Sequence, residues 1–152
     1  MKTIVIVGLV MVVGCSKAQE YKRKQQATEA KVLLNGIAKD AKAAYVETAQ
    51  FPKGKTATLP ESAGAACCEG PGHKCSVSTA WASDPVWSAL RFSIDEPTLF
   101  RYSYESTDGQ SFTATAVGDL DCDGTTITYT VTGTAKDGNP STTLVEPAPG
   151  AD

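Results

Sequence analysis

The sequence predicts an α+β fold in which a long N-terminal helix packs on an antiparallel sheet of three or four strands. Two observations support this prediction. Apolar side chains between residues 21 and 48 recur at spacings of three and four, which places them on one stripe of an α-helix. From Leu99 onward apolar residues occupy every second position, as in strands with one buried face. Such a helix and such a sheet cover each other in two layers.

The helical stripe is long enough to need a partner surface. Its members are Ala30, Leu33, Leu34, Ile37, Ala38, Ala41, Ala44 and Tyr45. A mid-helix glycine costs about 1 kcal/mol relative to alanine, so Gly36 predicts either a kink or a close neighbour. The pair Phe51-Pro52 ends the helix, because the residue before a proline is driven out of the helical region.

Three one-sided strands follow one another in LFRYSYES, SFTATAV and TTITYTVT. Their expected buried residues are Phe100, Tyr102, Tyr104, Phe112, Ala114, Ala116, Ile127, Tyr129 and Val131. The dipeptide Asp108-Gly109 between the first two strands predicts a type I′ hairpin turn. Residues 143–145 allow one further short strand.

The segment 53–98 is interrupted by glycine and proline and is expected to be mostly irregular. One short helix is predicted over residues 85–90, with Pro85 in its first turn and Ser83 or Asp84 as the cap. The expected core contributions of this segment are Trp81, Trp87, Leu90 and Phe92.

The first fifteen residues have the pattern of an export signal. Lys2 precedes the ten apolar residues Ile4 to Val13, a run shorter than the roughly 18 to 20 residues that span a bilayer. The following V-V-G-C resembles the bacterial lipobox, which implies diacylation of Cys15 and cleavage before it. An ordinary cysteine at the end of a secretory leader is the alternative. In lipoproteins an aspartate after the cysteine retains the protein in the inner membrane, and Ser16 therefore implies the outer membrane.

The chain is accordingly divided into four parts. Residues 1–14 are the predicted lipoprotein signal peptide, 15–20 an anchor and linker, 21–134 the α+β domain, and 135–152 a turn-rich, partly mobile tail. The net charge is −3 and the basic residues cluster in one short stretch, which argues against a nucleic-acid partner.

Several stretches together resemble type IV pilins. The run YKRKQQATEAKVLLNGIAKDAKAAYVET is similar to the pilin helix just after its membrane-embedded part. W-x-x-L-x-F at residues 87–92, the strand FRYSYES, and A-x-G-D-L-D-x-D-G at residues 116–124 are similar to the heads of delta-proteobacterial pilin-type proteins. The resemblance covers most of residues 21–131. It implies a pilin-like head, with pilus or secretion-system proteins as partners.

The start of the chain departs from that family. Pilins begin with a Gly-Phe-Thr-Leu-Ile-Glu type peptidase site and about twenty apolar residues that form the filament core, and neither is present here. We therefore expect a pilin-like head on a lipid anchor at the outer membrane or surface of a Gram-negative bacterium, acting in binding, adhesion or assembly. A filament subunit with a truncated apolar stem is the alternative.

Four cysteines besides Cys15 form an even set in an exported chain, which favours two disulfides. Pairing the neighbours Cys67 and Cys68 would be strained. This leaves Cys67–Cys75 with Cys68–Cys122, or Cys68–Cys75 with Cys67–Cys122. A thiolate metal site that adds His73 to Cys67, Cys68 and Cys75 is the alternative, although its spacing lacks the C-x-x-C of structural zinc sites.

The loop GDLDCDG places Asp119, Asp121 and Asp123 before Gly124, a spacing found in calcium loops. An EF-hand would need a glutamate at the twelfth position, where Thr130 stands. The alternative is an aspartate-rich turn whose side chains cap backbone amides. Calcium is thus the one candidate cofactor, and a calcium-binding interaction module is a further functional hypothesis.

Two remaining features concern charge and catalysis. The run Lys22, Arg23 and Lys24 next to a lipidated N-terminus predicts attraction to anionic head groups, with a solvated helical turn as the alternative. The only histidine, His73, lies in a glycine- and proline-rich turn, and no paired-carboxylate or phosphate-cradling motif occurs. The sequence therefore predicts a protein that is not an enzyme.

Overall fold

A 34-residue helix, α1 (Cys15–Thr48), lies against a five-stranded antiparallel sheet. The computed structural model describes residues 15–149 and 151, with side chains from Lys17 onward. The strands run in chain order across the sheet: β1 (Gly54–Lys55), β2 (Phe100–Ser106), β3 (Ser111–Gly118), β4 (Ile127–Lys136) and β5 (Asn139–Val145). A short helix, α2 (Pro85–Leu90), lies between β1 and β2 in the chain. The α+β class is confirmed, but the sheet has five strands rather than three or four.

The apolar stripe of α1 is the face that packs on the sheet. Six of its eight predicted members are buried, namely Ala30, Leu34, Ile37, Ala38, Ala41 and Tyr45, and the other two are half-buried. The helix already includes Cys15, the first described residue, which lies six residues before the predicted start. It ends at Thr48, after which Ala49 adopts a φ of 56° and donates its N–H to the Tyr45 carbonyl at 2.7 Å.

Gly36 does not interrupt α1. A Cβ added at this position would lie 3.6 Å from Cε2 of Phe92, which is an ordinary van der Waals distance. The close neighbour expected for this glycine is therefore not found, since Phe92 leaves room for a methyl group.

The meander β2–β3–β4 has the predicted alternation, and all nine residues of the expected apolar face are buried. In the β2–β3 pair, Phe100 lies opposite Gly118, and in the β3–β4 pair, Ser111 lies opposite Thr134. The predicted type I′ turn is wrong, since it needs two positive φ values and only Gly109 has one, at 71°. Instead, the Asp108 carboxylate accepts the N–H groups of Gln110 and Ser111 at 2.8 and 2.9 Å.

Two strands at the edges of the sheet extend it beyond the predicted meander. β1 pairs with β2 through only two residue pairs. β5 pairs with β4 over seven positions, from Thr130↔Val145 to Lys136↔Asn139. Residues 135–145, which the sequence assigns to a tail, therefore belong to the sheet, and an ion pair of 2.6 Å between Lys31 and Glu146 ties the end of β5 to α1.

The irregular segment packs through its aromatic residues. Asp84 is the cap of α2, and its Oδ1 accepts the N–H groups of Val86 and Trp87 at 2.9 and 3.1 Å. The rings of Trp81, Trp87 and Phe92 lie 5.0 to 5.7 Å apart between centroids and are at most 8% exposed. These contacts confirm both the predicted short helix and its contribution to the core.

The two glycines at positions 36 and 133 give a matched pair of substitutions. Gly36→Ala should raise the free energy of unfolding by about 1 kcal/mol, because the helix gains propensity and the new methyl fits beside Phe92. Gly133→Ala should lower it by roughly 1 to 3 kcal/mol, because a Cβ there would lie 1.9 Å from Cε1 of Phe112. Urea unfolding measures both, and a destabilised Gly36→Ala would contradict the packing described for α1.

Candidate functional site

Cys15, the residue at which the sequence predicts lipid attachment, is the first described residue and lies in helix α1. The Cys15 side chain and residues 1–14 lie outside the described part of the chain, so the signal peptide and the acylation stay predictions. Within the part that is described, no helix has the length and apolarity required to cross a membrane.

Between Lys17 and Gln25, α1 carries no core residue. Every side chain from Lys17 to Lys22 is exposed, including Tyr21 at 65%, and Ala30 is the first buried residue of the helix. Arg23 lies on the side that faces the sheet and forms an ion pair of 3.1 Å with Asp121 in the β3–β4 loop. Residues 17–25 of α1 therefore form a mostly exposed polar stalk, which Arg23 links to the head.

The β3–β4 loop brings together the carboxylates of Asp119, Asp121 and Asp123, as the sequence predicts. One oxygen from each lies within 4.8 Å of the others. These oxygens also accept backbone hydrogen bonds inside the loop. Asp119 is buried and accepts the N–H groups of Asp123 and Gly124 at 3.2 and 2.9 Å.

The carboxylate of Asp123 also accepts a hydrogen bond from a backbone amide of the loop. Asp123 accepts the N–H of Thr125 at 2.7 Å, and that hydrogen bond lowers the pKa of its carboxyl. The loop therefore has the geometry of an aspartate-rich turn that satisfies its own amides, and its remaining lone pairs could still meet a hard cation.

Two disulfides enclose this region. Cys67 bonds to Cys75, and Cys68 bonds to Cys122, which is one of the two pairings that the sequence left open. The second bond joins the irregular segment to the β3–β4 loop across 54 positions. Sulfurs in disulfides cannot act as thiolate ligands, so the alternative metal site built on Cys67, Cys68, Cys75 and His73 does not fit this structure.

His73 is exposed in a short turn, and its Nδ1 lies 3.3 Å from the Cys68 carbonyl oxygen. That contact is to the backbone, so it orients the ring without coupling it to a nucleophile. Beside α2, an open groove of about 550 Å³ is bounded by Trp81, Trp87 and Phe92. Because these rings are packed against one another, they offer little free surface for stacking a ligand.

One polar contact between α1 and the sheet was not anticipated from the sequence. Glu29 accepts the N–H of Leu99 through Oε1 at 2.8 Å, which ties the helix to the start of β2. Burial raises the pKa of the Glu29 carboxyl, and the Leu99 hydrogen bond and the Lys74 charge oppose this without cancelling it. The only sequence signal is a glutamate immediately before a stripe residue.

Tyr102 lies next to this carboxyl. Its hydroxyl is buried without a hydrogen bond of good geometry, so the contact with Glu29 is electrostatic. Burial and the nearby carboxylate both raise the pKa of the Tyr102 phenol far above its ordinary value. The phenol therefore stays protonated and serves packing.

The geometry defines the class of this protein as a helix packed on an antiparallel meander, with disulfides outside the sheet. Comparison of the chain with family models, with curated proteins and with solved structures finds no match in any of the three.

Glu29 should make the stability of the head depend on pH. A carboxyl whose pKa is raised in the folded state destabilises the fold once it ionises, so stability should fall as pH rises above 4.5, the ordinary pKa. Glu29→Gln keeps an oxygen for the Leu99 N–H and removes the charge. The variant should be more stable than the unmodified protein at pH 7, and this difference should vanish below pH 4.5.

Urea unfolding at pH 7 and at pH 4 measures the effect. Glu96→Gln is the matched control, since Glu96 is exposed in the neighbouring loop and its substitution should leave the midpoint unchanged. A Glu29→Gln protein that is less stable at pH 7 would show that the hydrogen bond to ionised Glu29 outweighs its desolvation.

Proposed function

We propose that this protein is a non-enzymatic envelope lipoprotein of a Gram-negative bacterium. Acylated Cys15 anchors it at the outer membrane or cell surface. Its α+β head, which resembles type IV pilin heads in sequence, binds other envelope components and takes part in adhesion or in the assembly of a pilus or secretion apparatus.

The observation that supports this proposal is the continuity of α1. One helix runs from Cys15, through the mostly exposed residues 17–25, into the core of the head. At a rise of about 1.5 Å per residue, the fifteen steps from Cys15 to Ala30 cover about 22 Å. A lipid on Cys15 would thus be joined to the head by a helical spacer, which suits a protein that presents its head away from a bilayer.

The alternative is a type IV pilin or pseudopilin subunit with a truncated apolar stem. Pilin stems pack along a length comparable to a bilayer span. The run Ile4 to Val13 has ten residues, and α1 from Cys15 onward opens with a charged and polar sequence. The lipid anchor therefore explains the start of the chain better than a filament core does.

Mass spectrometry of protein purified from its host tests the anchor. We expect an N-terminal peptide that begins at Cys15 and carries the mass of a diacylglyceryl group. Cys15→Ala should abolish acylation and release the protein from the outer-membrane fraction, because the ten-residue apolar run is too short to replace the lipid. Ser16→Asp is the matched control and should stay acylated while moving to the inner membrane. An intact or methylated apolar N-terminus in fibres would instead support the filament subunit.

A calcium-binding module is the second candidate, and the convergence of the three aspartates favours it. Against it stands the use of the same carboxylates by backbone amides, so we expect the loop to be complete without an ion. The melting temperature should be unchanged in 5 mM calcium, with 5 mM magnesium as the control. Saturation of a specific site at 100 times its Kd would stabilise the fold by about 2.7 kcal/mol, and a shift of that size seen only with calcium would establish the module.

A further inference from the structure

Charge is distributed very unevenly along this chain. The first turns of α1 carry four cations, Lys17, Lys22, Arg23 and Lys24, which we call the basic collar, and one anion, Glu20, so residues 15–26 have a net charge of +3. Residues 27–152 carry nine cations and sixteen anions, a net charge of −7. An anionic surface would thus attract the stalk and repel the head.

The collar cations differ in how they are paired. Arg23 is held by Asp121 of the head, and Lys24 by Glu20 one turn earlier at 2.7 Å. Within the described residues, neither Lys17 nor Lys22 takes part in an ion pair, and both side chains are exposed. These two lysines are therefore the groups of the stalk that can bind an external anion without breaking an internal contact.

The positions of the cations around the helix indicate its orientation. At 3.6 residues per turn, the collar residues point in directions spread around the whole circumference rather than along one face. No apolar stripe accompanies them, since Tyr21 is the only large apolar side chain between Lys17 and Gln26. A helix that lies in a membrane interface needs an apolar face opposite its charges. The collar instead fits a helix that stands upright on a surface.

The two unpaired lysines lie close enough to Cys15 to feel the electrostatic potential of a charged bilayer surface. Lys17 lies about 3 Å and Lys22 about 10 Å beyond Cys15 along the helix axis. Lys17 falls well within one Debye length, near 8 to 10 Å, of a bilayer surface that meets the chain at Cys15. Lys22 lies at the limit of that length at physiological salt and well within the longer Debye length at low salt.

We infer that the basic collar docks on anionic phospholipid headgroups through Lys17 and Lys22, with α1 upright and the acidic head facing away from the bilayer. This inference extends the proposed function, which supplies the lipid at Cys15. The Arg23–Asp121 ion pair links the stalk to the β3–β4 loop, at the end of the head nearest the membrane. The pair also neutralises the charge of one aspartate on that side of the head.

The test uses the chain that starts at Cys15, which contains every described helix and strand. Cys15 is its one thiol outside the two disulfides, so a single 14-carbon maleimide chain can be coupled there. One such chain binds vesicles reversibly, with a constant near 10⁴ M⁻¹, which leaves the electrostatic contribution measurable. Partition is compared between phosphatidylcholine vesicles and vesicles with 30% phosphatidylglycerol, at low and high salt.

The acylated protein should prefer the phosphatidylglycerol vesicles at low salt and lose this preference at high salt. Lys17→Gln with Lys22→Gln should reduce the preference about 30-fold. Lys39→Gln with Lys136→Gln is the matched control. It removes the same charge from exposed, unpaired lysines of the head and should change the preference less than 2-fold.

Three results would overturn the inference. Equal partition into both vesicles would show that the collar does not bind anionic lipid. An equal loss in the control variant would show a response to net charge alone. A loss in Tyr21→Ala as large as in the double lysine variant would show a helix lying in the interface. Since the tether is made chemically, an unacylated Cys15 in the host would refute the proposed function and leave this outcome unaffected.

Discussion

The burial of one face of α1 against one face of the sheet is the interaction on which the rest of the structure depends. Leu34 and Ile37 of the helix are fully buried. At the end of the helix, the Tyr45 ring packs on Phe51 with 4.8 Å between centroids, and Phe51 packs on Phe112 of β3 with 4.9 Å between centroids. Large apolar side chains gain about 1.5 to 3 kcal/mol each on burial, far more than an exposed ion pair. The polar stalk gains nothing comparable, so the head alone sets the direction in which α1 leaves the fold.

Periodicity accounts for what the sequence could reveal. The stripe of α1 and the alternation in β2, β3 and β4 follow directly from side chains that must be buried. β5 was anticipated only at residues 143–145, because NPSTTLV has exposed or half-buried residues throughout and its place comes from hydrogen bonds to β4. The same holds for the disulfides. Cys67 and Cys68 are neighbours in the chain, and only the three-dimensional path decides that Cys68 meets Cys122.

The candidate sites also differ in how far the sequence could reveal them. The aspartates of the β3–β4 loop are close in sequence, so their convergence was foreseeable, whereas their use by backbone amides depends on the loop conformation. Glu29 was not foreseeable, since its partner Leu99 is 70 positions away. The charge difference between stalk and head is readable from composition. The pairing of Arg23 with Asp121, and the lack of an ion pair for Lys17 and Lys22 among the described residues, could be found only from the fold.

The Cys68–Cys122 bond closes a covalent ring around most of the irregular segment. A protease that cuts the backbone anywhere between these two residues opens the ring without separating its products, because the N-terminal piece with α1 stays bonded to the piece with β4 and β5. Releasing the C-terminal strands from α1 by a cut within this ring would therefore need a reductant as well.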